Sequence, residues 1–339
     1  MTSFVTRFDF RAPGADATAR RELYGRALDQ AAYVDEHEQG ALMLSQHHAT
    51  DDGYLPSPLL AAAAMAARTR RIPITVSALL VNMYEPVKLA EDVAVLDHLS
   101  GGRVSYTFGL GYRREEYDLF GKSWKTRGQD IERAIRLLVA LWSGSEVVHE
   151  GRAVRIDPVP LTRPHPFLFY GGGSPAAARR AARLGLGFQP QVADPRLREI
   201  YEDWCRTLGW EPGFVLMPPP GPYTVVCADD PDAFWAEYGE YLLADAMAYR
   251  AWAGDRDSVV RDDSTTVEEL RAGDRYVVLD PDDLVAHCRE RRIRVVTSHP
   301  LCAGLPAEPS WESLRLICEK VMPALRTIPT PTPTSGPQE

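Results

Sequence analysis

Pro86-Val-Lys-Leu-Ala-Glu-Asp-Val-Ala-Val-Leu-Asp-His-Leu-Ser-Gly-Gly-Arg103 is the stretch from which the fold is read. Proline suits the first turn of a helix, where its missing N–H would have no partner anyway. Leu89, Val93, Leu96 and Leu99 then recur at helical spacing along one face, and Gly101 stops the helix. Before it, Ile72 to Val81 is apolar and β-branched, the pattern of a buried strand; after it, Arg103 to Phe108 is another strand. Two strands joined through a helix are the unit of a parallel sheet.

The alternation runs both ways from this unit. Toward the N-terminus, Phe4 to Phe10 and Ala41 to Ser45 read as strands and Asp16 to Gln39 as a helix. Ser57 is placed to cap a further, alanine-rich helix that begins with Pro58 and runs to Arg70. Toward the C-terminus, strands are expected at Phe167 to Tyr170, Tyr223 to Cys227, Tyr276 to Leu279 and Ile293 to Thr297. Helices are expected at Asp130 to Trp142, from Ser174-Pro175 onward, and at Pro195 to Leu208, Pro231 to Ala253, Asp282 to Arg291 and Trp311 to Leu325. About eight such units in one chain make an α/β fold, a (β/α)8 TIM barrel with insertions. The insertions are a hairpin within Glu146 to Ile156 turning at His149-Glu-Gly151, a rigid loop at Pro218 to Pro222, and a polar insertion or lid at Gly254 to Gly273. The end, Pro329-Thr-Pro-Thr-Pro-Thr-Ser-Gly-Pro337, is low-complexity and is expected to be disordered.

Composition narrows the function classes. A net charge of -9 argues against nucleic acid as the main partner. No apolar run approaches a membrane span, and the first residues lack the layout of a signal peptide. The five cysteines, at 205, 227, 288, 302 and 318, form no C-x-x-C pair, so neither a disulfide framework nor a zinc knuckle is indicated and a reducing cytoplasm fits best.

In a barrel the chemistry sits where strands end. Leu42-Met-Leu-Ser-Gln-His-His48 is a strand that ends in two histidines, and imidazole suits proton transfer near neutral pH. Adjacent strand residues point to opposite faces, so His47 and His48 make a poor pair of metal ligands, and no metal site is expected. Phe169-Tyr-Gly-Gly-Gly-Ser-Pro-Ala-Ala177 runs from a strand through glycines to a helix N-terminus, the geometry of a phosphate site. It also fits the dinucleotide pattern G-x-G-x-x-A, with Asp194 downstream, but its place after four β-α units suits a barrel better. Gly109 and Gly111 would let something flat lie against the backbone, and Arg113 or Arg114 could reach an anion. His299, at the end of the last strand, is a candidate to face the same cavity as His47.

With these residues in hand, the chain resembles the bacterial luciferase-like monooxygenases, TIM-barrel proteins that bind reduced flavin mononucleotide or 8-hydroxy-5-deazaflavin (coenzyme F420). The likeness is strongest over Ile74 to Arg103, in the Ala90-Glu91-Asp92 and Leu96-Asp97 core and the Ser-x-Gly-Arg end. It extends from about Ala41 to Gly121 and resumes at Phe167 to Gly187. It implies one barrel domain over residues 1–327, followed by a tail at 328–339. It implies that His47 is the strand-end histidine that handles a proton, and that a non-prolyl cis peptide falls at Ser77-Ala78, beneath the flavin ring. Gly172, Gly173 and Ser174 match the phosphate loop, with Gly109 and Gly111 also on the cofactor. Two positions depart from the pattern: Gln46 replaces a glutamate, and Leu110 stands where a phosphate-pairing arginine is found in luciferase.

The resemblance therefore implies an oxidoreductase, a monooxygenase using reduced FMN and dioxygen on a small organic substrate. A separate reductase would supply the flavin, and the protein would be a homodimer. Tyr54, Tyr112 and His299 would line the substrate space. A deazaflavin-dependent hydride-transfer enzyme and a non-catalytic flavin-fold subunit are the alternatives. The loops near 112–125 and 254–275 contain no motif that names the substrate, and Tyr249, Trp252 and Tyr276 lean toward an apolar one.

Overall fold

Pro86–Ser100 is a helix and the segments flanking it are strands, Ile74–Leu80 and Val104–Gly109, which pair in parallel. In the computed structural model, which describes residues 2–326 apart from Gln39 and Asp255, Glu85 caps this helix by accepting from Lys88 N–H. Gly101 ends it at φ 66°, a left-handed conformation that glycine adopts without a Cβ penalty. Leu89, Val93 and Leu96 are buried, but Leu99 is 63% exposed. At 3.6 residues per turn the buried stripe reaches Ser100, which is 4% exposed, and leaves Leu99 off to one side.

The strands in chain order are β1 Ser3–Phe8, β2 Ala41–Leu44, β3 Ile74–Leu80, β4 Val104–Gly109, β5 Val147–His149, β6 Arg152–Val154, β7 Leu168–Gly171, β8 Gly187–Gln189, β9 Thr224–Cys227, β10 Tyr276–Leu279 and β11 Val295–Ser298. Seven of them make one parallel sheet in the order β11-β1-β2-β3-β4-β7-β8. Each neighbour along the chain is a neighbour in the sheet, apart from the β5–β6 hairpin inserted before β7. This order rules out the doubly wound dinucleotide arrangement, in which the strand order reverses at a central switch point.

The expected ring of eight is not closed by strand hydrogen bonds among the described residues. β9 and β10 pair in parallel with each other instead of taking places between β8 and β11. A single bridge, Phe188 to Val215, extends the β8 edge. Pro218, Pro219, Pro220 and Pro222 follow, and proline has no N–H to donate to a ladder. Ser57 precedes the Pro58–Arg68 helix as expected, yet its side chain makes no cap hydrogen bond. The tail from 328 lies outside the described residues.

Three polar side chains fix the corner around the Pro86–Ser100 helix. Asp35 accepts the backbone N–H groups of Arg70, Arg71 and Ile72, turning the chain into β3. Asp97 accepts from Thr162 N–H at 2.7 Å and from its hydroxyl at 3.0 Å. Arg103 donates to the carbonyls of Ala66, Thr69, Ile72 and Ser100 and to the Thr69 hydroxyl. The Leu-Asp and Gly-Arg signature thus joins helix ends to strand starts. Arg103→Met leaves these carbonyls unpaired and is expected to cost about 2–4 kcal/mol of stability. The change reads as a lower urea midpoint at unchanged slope; a loss below about 0.5 kcal/mol would show that the contacts are incidental.

Candidate active site

The strand ends surround a cavity of about 640 Å³. His47 stands on one wall, 5% exposed. Its Nδ1 lies 2.9 Å from Glu116 Oε1, and its Nε2 lies 3.0 Å from the Tyr112 hydroxyl. A carboxylate can only accept, so Nδ1 carries the proton and Nε2 accepts from Tyr112. Burial pushes the Tyr112 hydroxyl well up, which keeps that proton in place. Tyr54, Tyr112 and Trp252 pack edge-on around the imidazole. Burial lowers the His47 pKa, against the opposing pull of Glu116. His47 is therefore a neutral base with one lone pair.

Glu116 was not anticipated. It sits in the run Arg113-Arg-Glu-Glu-Tyr117, which reads locally as a solvated charged loop, yet it is 1% exposed. It also accepts the His48 N–H at 2.9 Å. Burial works to raise its pKa, but His47, the His48 N–H and Arg113 together hold it below the usual carboxylate range. The charge missing at Gln46 thus arrives from the short Arg114–Leu119 helix. Gln46 is structural here: its carbonyl accepts Leu80 N–H at 2.9 Å and its amide donates to His48 Nε2 at 2.6 Å. Arg113 is turned away from any phosphate, onto the His48 carbonyl and Glu116, and Arg114 faces Asp118 at the surface.

The Ser77–Ala78 peptide is cis, and the β3–β4 register shifts between Ser77 and Leu79. Both residues line the cavity. Gly109 gives them room: a Cβ there would lie 2.6 Å from the Ala78 Cβ. Ala78 takes the place a side chain at 109 would need, and Gly109 itself lines the cavity. Gly111, with φ 79°, lines the cavity beside Tyr112.

The opposite end is the glycine loop. Gly172 has φ 154°, and a Cβ on it would sit 2.7 Å from Ala177. Its N–H is taken by the Gln189 carbonyl, so its part is conformational, and the N–H groups next along are those of Gly173 and Ser174. Ser174 caps the Pro175–Leu184 helix. Three arginines missed in the sequence line the same cavity: Arg127, Arg180 and Arg256. Arg180 is held by Glu132 at 2.9 Å and by the Tyr170 hydroxyl at 3.1 Å. The Arg127 pKa is lowered, by burial first, with Arg180 and Arg256 adding to it. These guanidinium groups share one cavity with the loop N–H groups, a donor set suited to a phosphate. Residues 256–260 of the polar insertion line the cavity, and Val259 N–H bonds the Gln191 carbonyl.

Tyr54 and Tyr112 line the cavity as expected, but His299 does not. Its side chain is fully buried, with Nε2 3.0 Å from Asp9 and Nδ1 2.6 Å from Arg7. The short strand β11 ends against a cluster of buried charges that no local pattern revealed. His299, Asp245 and Cys302 approach one another within 4.8 Å, a spacing that could suit a cation. The Arg7 guanidinium is bonded into the same place, so positive charge is already supplied there.

The sequence pattern of the luciferase-like monooxygenases matches residues 3–288. The chain belongs to the luciferase-like monooxygenase family. An F420-dependent glucose-6-phosphate dehydrogenase of Nakamurella multipartita is 30% identical over 199 residues, 56% of this chain and 57% of that one. The oxygenase component of a flavin-dependent trigonelline monooxygenase of Acinetobacter baylyi is 24% identical over 182 residues, 52% of this chain and 50% of that one. This luciferase-like chain spans about half the length of the curated relatives it matches. A monooxygenase of Streptomyces bottropensis superposes with a TM-score of 0.71 at 24% identity, covering 95% of this chain and 99% of its own. An F420-dependent secondary alcohol dehydrogenase does so with a TM-score of 0.68 at 16% identity, covering 96% and 99%. At such identity the superpositions speak for a shared fold. No described helix is long and apolar enough to cross a membrane.

A step in which the unprotonated Nε2 of His47 takes a proton is lost as pH falls and His47 protonates. Because the His47 pKa is lowered, this acid limb lies below the ordinary histidine range near 6.5. Glu116 opposes that lowering, so Glu116→Gln moves the acid limb to still lower pH and reduces turnover. An unmoved limb in a pH–rate profile of the variant would show that Glu116 does not act through His47.

Proposed function

We propose that this protein is a flavin-dependent oxidoreductase that takes reduced FMN and uses dioxygen on a small organic substrate. The observation that carries this is one cavity lined by a carboxylate-oriented neutral histidine, a glycine loop and three arginines, Arg127, Arg180 and Arg256. Gly173 and Ser174 N–H groups, Arg127, Arg180 and Arg256 would hold the phosphate, and Ser77, Ala78, Gly109 and Gly111 would stand along the ring. Bound reduced flavin would supply two of the four electrons that dioxygen takes up in a monooxygenation, the substrate supplying the other two. A phosphomonoester carries close to two negative charges, which guanidinium groups bind well; Arg180 is already paired with Glu132.

The chain's own residues do the rest. His47 accepts or returns a proton at Nε2, with Glu116 fixing its tautomer. The loop at 256–260 and the aromatic side chains around His47 keep water from that proton. Glu116 and the three arginines make good the charges absent at Gln46 and Leu110, which supports an enzyme over a non-catalytic subunit. A separate reductase would supply reduced flavin. Two copies would pair through the early helices, where Leu60, Val95 and Leu99 stand exposed. The second reading is hydride transfer with 8-hydroxy-5-deazaflavin, favoured by the likeness to the F420-dependent dehydrogenase of Nakamurella multipartita.

The test compares FMN with riboflavin, which lacks the phosphate, by quenching of flavin fluorescence. FMN is expected to bind about tenfold or more tightly than riboflavin. Arg127→Met and Arg256→Met should each erode that preference with little effect on riboflavin. Equal affinity of the unaltered protein for the two flavins would contradict the proposed phosphate cradle.

A further inference from the structure

Both ring nitrogens of His47 are engaged. Nδ1 faces Glu116 at 2.9 Å, and Nε2 faces the Tyr112 hydroxyl at 3.0 Å. Three rings close on the imidazole, those of Trp252, Tyr54 and Tyr112, with centres 4.8, 4.9 and 5.1 Å from its own. Of these, Tyr112 sets a polar atom on an imidazole nitrogen. The Tyr54 hydroxyl instead donates to Ser45 Oγ at 2.5 Å and lies 3.0 Å from that of Tyr249. His47 is 5% exposed, whereas Tyr112 is half-buried, and both line the cavity. The one lone pair of the base is thus covered by the hydroxyl of a more exposed side chain.

A covered lone pair has two readings. The phenol is a lid over the base, or it is the path to it. The surrounding charges favour the path. The groups that face His47 are Glu116 and Arg113, Arg11 from the loop after β1, His48 next in the chain, and the phenols of Tyr54 and Tyr112. Glu116 favours the imidazolium that forms when Nε2 takes a proton. The Arg256 guanidinium lies 5.1 Å from the centre of the Tyr112 ring and favours negative charge on that phenol in passing. Burial pushes the Tyr112 hydroxyl well up, so a resting tyrosinate does not accumulate. Tyr112 therefore loses its proton only as it gains another, and a hydroxyl, both donor and acceptor, is suited to that exchange.

We propose that Tyr112 is the proton-relay residue of the site, through which a substrate O–H or N–H in the cavity exchanges its proton with His47. This rests on the proposed function in placing the reacting group in the same cavity. The substrate proton forms a bond to Tyr112 Oη as the original Tyr112 O–H bond breaks. The released proton forms the Nε2–H bond, and the substrate keeps the electron pair of its own broken bond. Tyr112 ends neutral, and His47 ends as an imidazolium against the Glu116 carboxylate. The return of the proton runs the same steps backward.

Two measurements test the relay. The first uses the whole protein without any flavin. With histidine labelled by nitrogen-15, Nε2 of His47 should be the unprotonated nitrogen at neutral pH, and Tyr112→Phe should move its resonance toward that of a free imine nitrogen. A protonated Nε2, or a resonance that the variant leaves in place, would overturn the proposal whichever cofactor binds. The second is the single-turnover rate with reduced FMN or reduced deazaflavin, whichever the protein turns over. A relay predicts that Tyr112→Phe lowers this rate about a hundredfold with KM little changed. A lid predicts the opposite, since removing the hydroxyl frees the lone pair, so an unchanged or faster rate would overturn the relay. In mixtures of light and heavy water the rate of the unaltered protein should bow with deuterium fraction, as two protons moving together require. A straight line would mean that one proton moves and would also overturn it. The nitrogen measurement stands where the cofactor assignment fails, and the light and heavy water series stands where the variant fails to fold.

Discussion

Asp245 is the point on which the interior turns. Its carboxylate receives Arg7 from β1, Arg11 from the loop after it, and the hydroxyl of Tyr276 from β10. Strand hydrogen bonds leave the β8 and β11 edges of the large sheet unjoined among the described residues. The buried ion pairs therefore tie the long Pro231–Ala253 helix, which carries Asp245, to the first strand of the sheet. Buried charges of this kind are weak evidence for net stability, since their desolvation is costly, but removing one partner is severely destabilising. Their worth here is placement: they hold Tyr249 and Arg7 at one cavity and Trp252 against the His47 ring.

The cavity follows from that placement and from one local accommodation. β3 bulges at Ala78, and β4 accepts the bulge because residue 109 has no side chain. Backbone from β3 thereby enters the space between His47 and the glycine loop. The chemical asymmetry of the site arises from different elements at its two ends. One end draws on the end of β2 and the short Arg114–Leu119 helix for a base and its carboxylate. The other draws on the Pro175–Leu184 helix, the Arg127–Trp142 helix and the polar insertion for cations.

Much of the scaffold was legible because local signals and tertiary burial agreed. Pro86, the apolar stripe and Gly101 delimit a helix whose bounds hold to a residue, and Pro195–Leu208 and Pro231–Ala253 behave likewise. β8, three residues beginning with glycine, gave no strand signal; it forms because β7 offers a free edge. Leu99 was misplaced by one step of the helical wheel. The cavity lining was legible past strand ends, as with His47 and Tyr112, and through the family resemblance at Ser77 and Ala78, inside β3. It was hidden where function depends on distant pairing. Glu116 looks like any acidic residue of a charged loop until the fold sets it beside His47, and Arg7 looks like an ordinary polar position within a strand. His299 carried the stronger sequence signal, yet it supports Arg7 from behind while Arg7 reaches the cavity.

The central claim is that the cavity takes reduced FMN and delivers its electrons to dioxygen. Anaerobic titration of the purified protein with reduced FMN and, separately, with reduced 8-hydroxy-5-deazaflavin, followed by admission of air, tests it most directly. The account predicts saturable binding of reduced FMN in preference to the deazaflavin, with oxygen consumed by the bound flavin on a course distinct from that of free flavin. Preference for the deazaflavin with no protein-dependent oxygen uptake would contradict it and assign hydride transfer to the same residues.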